Sequence, residues 1–339
     1  MGAELEKKND VILEIKDLKK YYPLPKKSPF SEQKYFRAVD GVSLKVRKGR
    51  TLGIVGESGC GKTTIARMVV RLLEPTSGEI LFKGENLLDF KGSRLHRMRK
   101  EIQFVFQDPY ASLNPKMKCY DILKEPLIVH GFADHISARE KVEKLLALVG
   151  LPKEAADKYP HEFSGGQRQR IGIARALTVN PELIICDEPV SALDVSIQSQ
   201  ILNLLRQLQQ KFDLTYIFIA HGLNVVKHIS DDVAVMYLGR IMETASSDEI
   251  FENPVHPYTN ALMAAIPMPD PNKPMPQSVL EGEATKSAAD TDGCSFFPRC
   301  PMAKEICRTK LPEMTEVCEG HCVRCHFAQG LYNGKKGTK

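Results

Sequence analysis

The stretch that most constrains how this chain can fold is GESGCGKT, residues 56–63, which fits the phosphate-binding pattern GxxxxGK[ST]. It follows TLGIV (51–55), which predicts a buried strand, and it opens an amphipathic stretch (61–73) that predicts a helix. The glycines let the backbone wrap around phosphate oxygens, and the helix N-terminus adds a positive dipole. Lys62 would reach the β- and γ-phosphates, and Thr63 would hold Mg²⁺. The nucleotide-contacting residues predicted here are Gly56, Glu57, Ser58, Gly59, Cys60, Gly61, Lys62, Thr63 and Thr64.

A second apolar run, LIIC (183–186), is followed at once by two acidic residues. A buried strand ending in a carboxylate is the partner that a phosphate-binding loop requires, because the carboxylate helps to hold the metal. Asp187 would bind Mg²⁺ through water. Glu188, one residue further on, is predicted to polarise an attacking water as general base.

The first 270 residues alternate short apolar runs with helical patterns, which predicts an α/β domain. Further strands are predicted at 102–106, 214–220 and 233–238, and helices at 138–149 and 197–212. A more helical insert spans about 115–178, where Ser137 and Glu140 have the spacing of a capping box.

Composition excludes several classes of function. A net charge of +5 over 339 residues is too weak to indicate nucleic-acid binding, although it suits a surface beside an anionic membrane. The sequence has no apolar run of 18 residues and no signal-peptide pattern at its start. The stretch 267–292 is a Pro-rich connector by composition, and six of the nine cysteines follow it. In a reducing compartment such a cluster indicates metal binding rather than disulfides.

Four further motifs stand in a fixed order around these two. The sequence SGGQRQR (164–170) resembles the signature motif of ABC-type ATPases, Gln107 resembles the Q-loop glutamine, Asp194 lies in a D-loop-like SALD, and His221 resembles the switch histidine. The resemblance implies that the signature residues Ser164, Gly165, Gly166 and Gln167 act on ATP held by the other subunit of a dimer. It also implies that Gln107 contacts Mg²⁺ or water and that His221 holds the γ-phosphate.

The sequence also resembles one particular family within the ABC-type ATPases. Residues 107–117 (QDPYASLNPKM), 186–198 (CDEPVSALDVSIQ), 256–261 (HPYTNA) and the cysteine tail resemble the ATP-binding subunits of dipeptide and oligopeptide importers, and most closely the "F" subunit of the paired ATPases. The resemblance implies a P-loop ABC-type domain over 10–266 and a Cys-rich metal-binding extension over 293–330. It implies ATP and Mg²⁺, a second ATPase subunit, two transmembrane permeases and an extracytoplasmic binding protein. The chain would then lie peripherally on the cytoplasmic face of the cell membrane.

In this family an aromatic side chain stacks on adenine. The end of the first strand indicates Tyr22, with Tyr21, Tyr35 and Phe36 as alternatives. One position departs from the family pattern, because Gly222 stands where Asp usually follows the switch histidine. That glycine is expected to loosen the turn that positions His221.

The cysteine tail leaves three alternatives open. Its one C-x-x-C spacing, at 322–325, is a weak zinc signal. The resemblance implies that Cys294, Cys300, Cys307 and Cys325 hold a four-iron four-sulfur cluster, with Cys318 and Cys322 additional. Zinc and metal-free thiols are the alternatives.

The function predicted is ATP hydrolysis that drives peptide import, by in-line attack of water on the γ-phosphate. Glu188, His221 and Lys62 are the predicted catalytic residues. Uptake of another solute, such as an oligosaccharide or nickel, is an alternative because an ATPase subunit never touches the cargo. A soluble ABC ATPase without a transporter is disfavoured by the single P-loop and the lack of a heptad run, and a non-hydrolysing ATP-binding module is disfavoured by Glu188.

Overall fold

The computed structural model describes residues 11–26, 28, 30–134, 136–265 and 292–332. Its strands are β1 Val11–Pro23, β2 Tyr35–Arg47, β3 Thr51–Val55, β4 Ser77–Phe82, β5 Glu85–Asn86, β6 Ile102–Val105, β7 Leu183–Asp187, β8 Thr215–Ala220, β9 Asp232–Tyr237, β10 Arg240–Ser246, β11 Thr315–Cys318 and β12 His321–Val323.

The helices follow the same chain order. They are α1 Lys62–Val69, α2 Gly92–Glu101, α3 Pro109–Ser112, α4 Cys119–Val129, α5 Ala138–Leu148, α6 Gly165–Leu177, α7 Val195–Phe212, α8 Leu223–Ile229, α9 Ser247–Glu252, α10 Pro257–Ala264, α11 Glu305–Thr309 and α12 Ala328–Leu331. Among the described helices, none combines the length and apolarity needed to cross a membrane.

The chain divides into two compact units. The first comprises Met1–Val46, Leu52–Leu88 and Ala220–Lys339, and the second comprises Arg47–Thr51 and Asp89–Ile219. Each unit is built around its own group of strands.

In the first unit, strands β2, β1, β4 and β5 form an antiparallel sheet in that order. A second group runs in the order β11, β12, β10, β9 and β3, where β3 lies parallel to β9 and the other pairs are antiparallel. All five residues of β3 are buried, as expected of a strand covered on both faces. Strand β3 leads directly into the phosphate-binding loop and α1.

In the second unit, β6, β7 and β8 are parallel neighbours. Every residue of β7 and β8 is buried, and helices α4 to α7 belong to the same unit. Because carboxyl ends of parallel strands meet at one edge of a sheet, this is the edge where the acidic end of β7 lies.

The predicted elements agree with the structure in kind and differ at their ends. Strand β3 has the predicted bounds, whereas the helix predicted over 61–73 ends at Val69. The helix predicted over 138–149 is α5, but the capping box is wrong. The Ser137 hydroxyl donates to Asp134, 2.7 Å away, and makes no cap hydrogen bond with α5. A preceding acidic residue has captured the serine locally.

The antiparallel sheet of the first unit was not part of the prediction, apart from the end of its first strand near Tyr22. The Pro-rich connector predicted over 267–292 lies outside the described residues except for Asp292. Residues 292–332 contain β11, β12, α11 and α12, and Val323 and Ala328 from this segment form a small apolar cluster with Val255.

Candidate nucleotide site and cysteine cavity

Lys62, the lysine predicted to bind phosphate, hydrogen-bonds to the phosphate-binding loop itself. Lys62 is 3% exposed, and its Nζ donates to the carbonyl oxygens of Gly56 and Glu57 at 2.7 and 3.0 Å. The side chain therefore points back across the loop, where an anion would sit above the loop's N–H groups. Thr63 is the second residue of α1, and its predicted role toward Mg²⁺ stays a prediction.

Two glycines of the loop are required by its geometry. Gly56 has φ 154°, and a Cβ there would lie 2.1 Å from the Met236 carbonyl oxygen. Gly61 has φ 110°, and its Cβ would lie 2.3 Å from the Ala38 carbonyl oxygen. The chain thus packs backbone against backbone around the loop, which leaves no room for side chains.

Glu57, inside the loop, makes contacts that the sequence did not indicate. Its N–H donates to the Tyr258 hydroxyl at 3.0 Å. Its two carboxylate oxygens each accept from Arg299 Nη1 at 3.0 Å, and that nitrogen also lies 3.3 Å from the Tyr237 hydroxyl. Arg299 belongs to the C-terminal extension, so the extension directly contacts the phosphate-binding loop.

The acidic strand end belongs to the second unit. Asp187, the last residue of β7, and Glu188 are 3% and 5% exposed. Glu188 has φ +48°, a conformation that turns its side chain away from the strand direction, and its N–H donates to the Ile219 carbonyl at 3.0 Å. Gln107 Nε2 donates to Glu188 Oε2 at 2.7 Å. The predicted role of Gln107 toward Mg²⁺ stays a prediction, and its contact here is with the candidate base.

The signature residues open α6. Ser164 is the N-cap residue, its hydroxyl accepts from the Gln167 N–H at 3.4 Å, and the Gln167 side chain accepts from the Ser164 N–H at 3.0 Å. The helix therefore begins at Gly165. Ser164 and Gln167 are exposed, which presents a positive helix end at the surface of the unit. Gly166 is buried where a Cβ would lie 2.5 Å from Ile197 Cγ2 of α7.

The remaining predicted residues lie at element ends. Asp194 is the N-cap residue of α7, where its carboxylate accepts from the Ile197 N–H at 3.0 Å and from the Ser196 hydroxyl at 2.7 Å. These hydrogen bonds, that of Ser196 first, lower the pKa of Asp194. His221 is exposed just after β8, and Gly222 is the N-cap residue of α8 without a side-chain cap.

Three of the aromatic candidates differ in their surroundings, and the stacking of Tyr22 on adenine stays a prediction. Tyr22 is 38% exposed at the end of β1, with Lys20 Nζ 5.1 Å from its ring centre. The Tyr21 hydroxyl instead donates to Asp40, which also pairs with Arg240 at 2.6 Å. Tyr35 is 46% exposed at the start of β2.

The four cysteines singled out for a cluster converge. Cys294, Cys300, Cys307 and Cys325 line one small cavity together with Phe296 and Phe327. Burial raises the pKa of Cys294 to about 11 and also raises the pKa of Cys300 and Cys325. Uncompensated burial favours the neutral thiol, so thiolates in this cavity would need a bound cation to stabilise them. The Phe327 N–H points at Cys325 Sγ, 3.5 Å away.

A phosphate-binding loop, an acidic strand end and an exposed signature helix define an ABC-type nucleotide-binding subunit. A family model described as ABC transporter matches residues 39–191, and one described as oligopeptide/dipeptide transporter, C-terminal region, matches 242–307. The chain belongs to the family of oligopeptide and dipeptide transport ATP-binding proteins, and it is an ATPase.

Two curated relatives and two solved structures support this assignment. The oligopeptide transport ATP-binding protein AppF of Bacillus subtilis is 53% identical over 94% of this chain and 98% of its own length. The dipeptide transport ATP-binding protein DppF of Haemophilus influenzae is 47% identical over 94% and 97%. The ATP-binding cassette MJ0796, in a dimeric structure with ADP and phosphate, is 28% identical with a TM-score of 0.62 over 69% of this chain and 98% of its own. CbiO1 of Clostridium perfringens is 29% identical with a TM-score of 0.61 over 71% and 91%.

Proposed function

We propose that this chain hydrolyses ATP to power the import of dipeptides or oligopeptides through a membrane permease. The observation that carries this proposal is that the likeness to peptide-transport ATPases extends over 94% of the chain, beyond the ATPase motifs and into the cysteine-rich tail. A match confined to the ATPase motifs would have pointed to the superfamily alone.

The chemistry is assigned to the residues described above. Lys62 neutralises charge on the β- and γ-phosphates, and Glu188 accepts a proton from the attacking water. His221 donates a hydrogen bond to the γ-phosphate. Thr63, Asp187 and Gln107 would hold Mg²⁺, which supplies further charge neutralisation when bound. Tyr22 stacks on the adenine ring.

Gln107 contacts the proposed general base, Glu188, directly. Its amide holds one carboxylate oxygen of Glu188 at 2.7 Å, and it lies just after β6, before the helices of the second unit. This hydrogen bond fixes the orientation of the carboxylate. We propose that Gln107 keeps the Glu188 carboxylate in one orientation until a nucleotide is bound.

The exposed N-terminus of the signature helix supports a dimer. Ser164, Gly165, Gly166 and Gln167 would complete the site around ATP on a second subunit, because the positive end of a helix dipole favours an anion. We propose a related but different ATPase as that subunit, together with two permeases and an extracytoplasmic binding protein. The complex would place this chain on the cytoplasmic face of the membrane.

The domain organisation proposed is an ATPase domain over 10–266, a connector over 267–292 and a metal-binding extension over 293–330. For the extension we propose a four-iron four-sulfur cluster on Cys294, Cys300, Cys307 and Cys325. A tetrahedral zinc ion with bonds of about 2.3 Å brings its sulfurs to about 3.8 Å from one another. Among these four described cysteines, no three sulfurs lie within 4.8 Å of one another, which favours a wider group than one ion.

The test is transport by the reconstituted complex. Glu188→Gln should retain ATP binding, because size and the contact with Gln107 are kept, while turnover and peptide uptake fall by roughly 10²–10⁴-fold. Wild-type turnover by this variant would overturn the role of Glu188. Full uptake by the permeases with this chain as the only ATPase would overturn the heterodimer, and uptake of only non-peptide solutes would overturn the cargo class.

A further inference from the structure

Two cysteines of the tail play no part in the proposed cluster, and one of them lies in a different group of metal-ligand side chains. Glu249, Cys318 and His321 place a carboxylate oxygen, a thiol sulfur and an imidazole nitrogen within 4.8 Å of one another. Glu249 belongs to α9, Cys318 ends β11, and His321 begins β12. The three residues come from two separate parts of the chain within the first unit.

His321 is oriented as a metal ligand. It is 0% exposed, and its Nε2 lies 2.7 Å from Glu243 Oε1. Glu243 is itself 0% exposed and accepts the backbone N–H groups of Val255 and His256 at 2.8 and 2.9 Å. A hydrogen bond from the ring to this carboxylate places the imidazole proton on Nε2. The lone pair is then on Nδ1.

The Nδ1 atom faces the other two ligands. It lies 3.5 Å from Glu249 Oε1 and, among the described residues, makes no hydrogen bond. A buried imidazole nitrogen without a partner is unfavourable, because the cost of removing it from water is not repaid. A histidine that binds a metal usually donates its other ring N–H to a carboxylate, which fixes the orientation of the ring. Glu243 is such a carboxylate for His321, whose Nδ1 faces Cys318 and Glu249.

The spacing and the remaining contacts fit one ion. With bonds of about 2.0–2.1 Å in a tetrahedral arrangement, nitrogen and oxygen ligands lie about 3.4 Å apart, close to the 3.5 Å observed. Glu249 is held on both oxygens, by the Tyr332 hydroxyl at 3.1 Å and by Asn253 Nδ2 at 3.3 Å. Its carboxylate is therefore oriented before any ion arrives.

We propose that Glu249, Cys318 and His321 bind a zinc ion, separate from the four-cysteine cavity, with a water molecule or the Tyr332 hydroxyl in the fourth position. Sulfur, nitrogen and oxygen ligands in one site suit zinc better than iron–sulfur chemistry or a hard cation. The ion joins the β11–β12 hairpin to α9 and so fastens the extension to the ATPase domain. Its binding energy would add to the stability of an extension with a small core.

The test uses the full chain, purified anaerobically, with zinc and iron quantified separately by mass spectrometry. Wild type should hold one zinc per chain, and X-ray absorption at the zinc edge should show one sulfur and three nitrogen or oxygen ligands. Cys318→Ser should lower zinc affinity by more than the roughly 10–100-fold typical of an outer-shell change. Cys322→Ser is the matched control and should keep its zinc. Iron content should be the same in all three proteins.

Cys318→His replaces the thiol with another metal ligand and should retain zinc. Comparing it with Cys318→Ser distinguishes loss of the ion from loss of the fold. Cys300→Ser removes a ligand of the other cavity and should leave zinc in place. Zinc with four sulfur ligands, or zinc lost in Cys300→Ser but retained in Cys318→Ser, would overturn the proposal. Wild type without zinc after dialysis against zinc would overturn it as well.

Discussion

At the scale of single residues, the phosphate-binding loop depends on backbone positions that no side chain can occupy. Gly61 combines φ 110° with a Cβ site 2.3 Å from the Ala38 carbonyl oxygen and 2.7 Å from Met236 Cε. The first feature is a conformational preference, which costs an L-residue about 1–2 kcal/mol. The second is a collision with backbone, which only a shift of the loop or of β2 can relieve.

These two costs can be separated by experiment. Gly61→Ala should abolish measurable ATP binding and lower the free energy of unfolding by more than the conformational cost. Gly84→Ala is the matched control, because Gly84 has φ +83° with no heavy atom within 4 Å of the Cβ site. It should cost about 1–2 kcal/mol and keep ATP binding. Equal effects of the two substitutions, measured by denaturant unfolding and nucleotide titration, would refute the collision.

At the scale of elements, α8 begins without the cap that its family pattern supplies. Gly222 has φ −92° and ψ 125°, the extended conformation of an N-cap residue, and no side chain accepts from the first N–H groups of the helix. Since no heavy atom lies within 4 Å of the Cβ site, a larger side chain fits. Gly222 therefore leaves the start of α8 without a side-chain cap, at a position where an Asp side chain would fit.

Gly222→Asp should restore the cap. It should raise the free energy of unfolding by roughly a few tenths of a kcal/mol, the usual difference between Asp and Gly at this position. The ATP turnover should at least equal that of wild type, because the backbone after the switch histidine becomes better ordered. Gly222→Ala is the control, since Ala fits equally well but cannot accept the hydrogen bond, and it should not stabilise. A less stable aspartate variant in thermal unfolding would contradict this account of the turn.

At the scale of the whole molecule, the C-terminal extension contacts the nucleotide site through one ion pair. Arg299 and Glu57 are 242 positions apart in sequence, and their side chains are 10% and 26% exposed. Arg299 immediately precedes Cys300, a lining residue of the cysteine cavity. The geometry of the extension and that of the phosphate-binding loop are therefore linked.

Arg299→Ala should raise the KM for ATP by about 5-fold, corresponding to about 1 kcal/mol for a partly exposed, charge-assisted hydrogen bond. Its effect should be non-additive with that of Glu57→Gln, because both substitutions remove the same contact. Arg308→Ala, at an exposed position of the same extension, is the control and should leave KM unchanged. Additive effects in this cycle would show that the ion pair does not connect the two regions.

Local sequence was enough to predict several strands, helices and motifs of this protein. The P-loop and the acidic end of β7 each occupy one short segment, so their spacing alone predicts where they lie in the fold. Buried strands such as β3 were predicted for the same reason, because a continuous apolar run flanked by turn and helix signals has few other interpretations. The choice of Tyr22 for stacking on adenine stays a prediction, and the hydrogen bond from the Tyr21 hydroxyl to Asp40 was not predicted.

Tertiary structure decided the contacts between residues far apart in the chain. The hydrophobic pattern of the sequence does not predict the contact between Arg299 and Glu57. It does not predict the position of His321 between Glu243 and Glu249 either. Both contacts depend on the order of the strands in the sheet, which no single strand's sequence determines. Ser137 shows the same limit at short range, since a neighbouring aspartate took the hydrogen bond that the capping pattern predicted. Sequence therefore predicts the residues of the nucleotide site. The fold determined which of them are held by the C-terminal extension, because only packing sets distances between segments that the chain does not join.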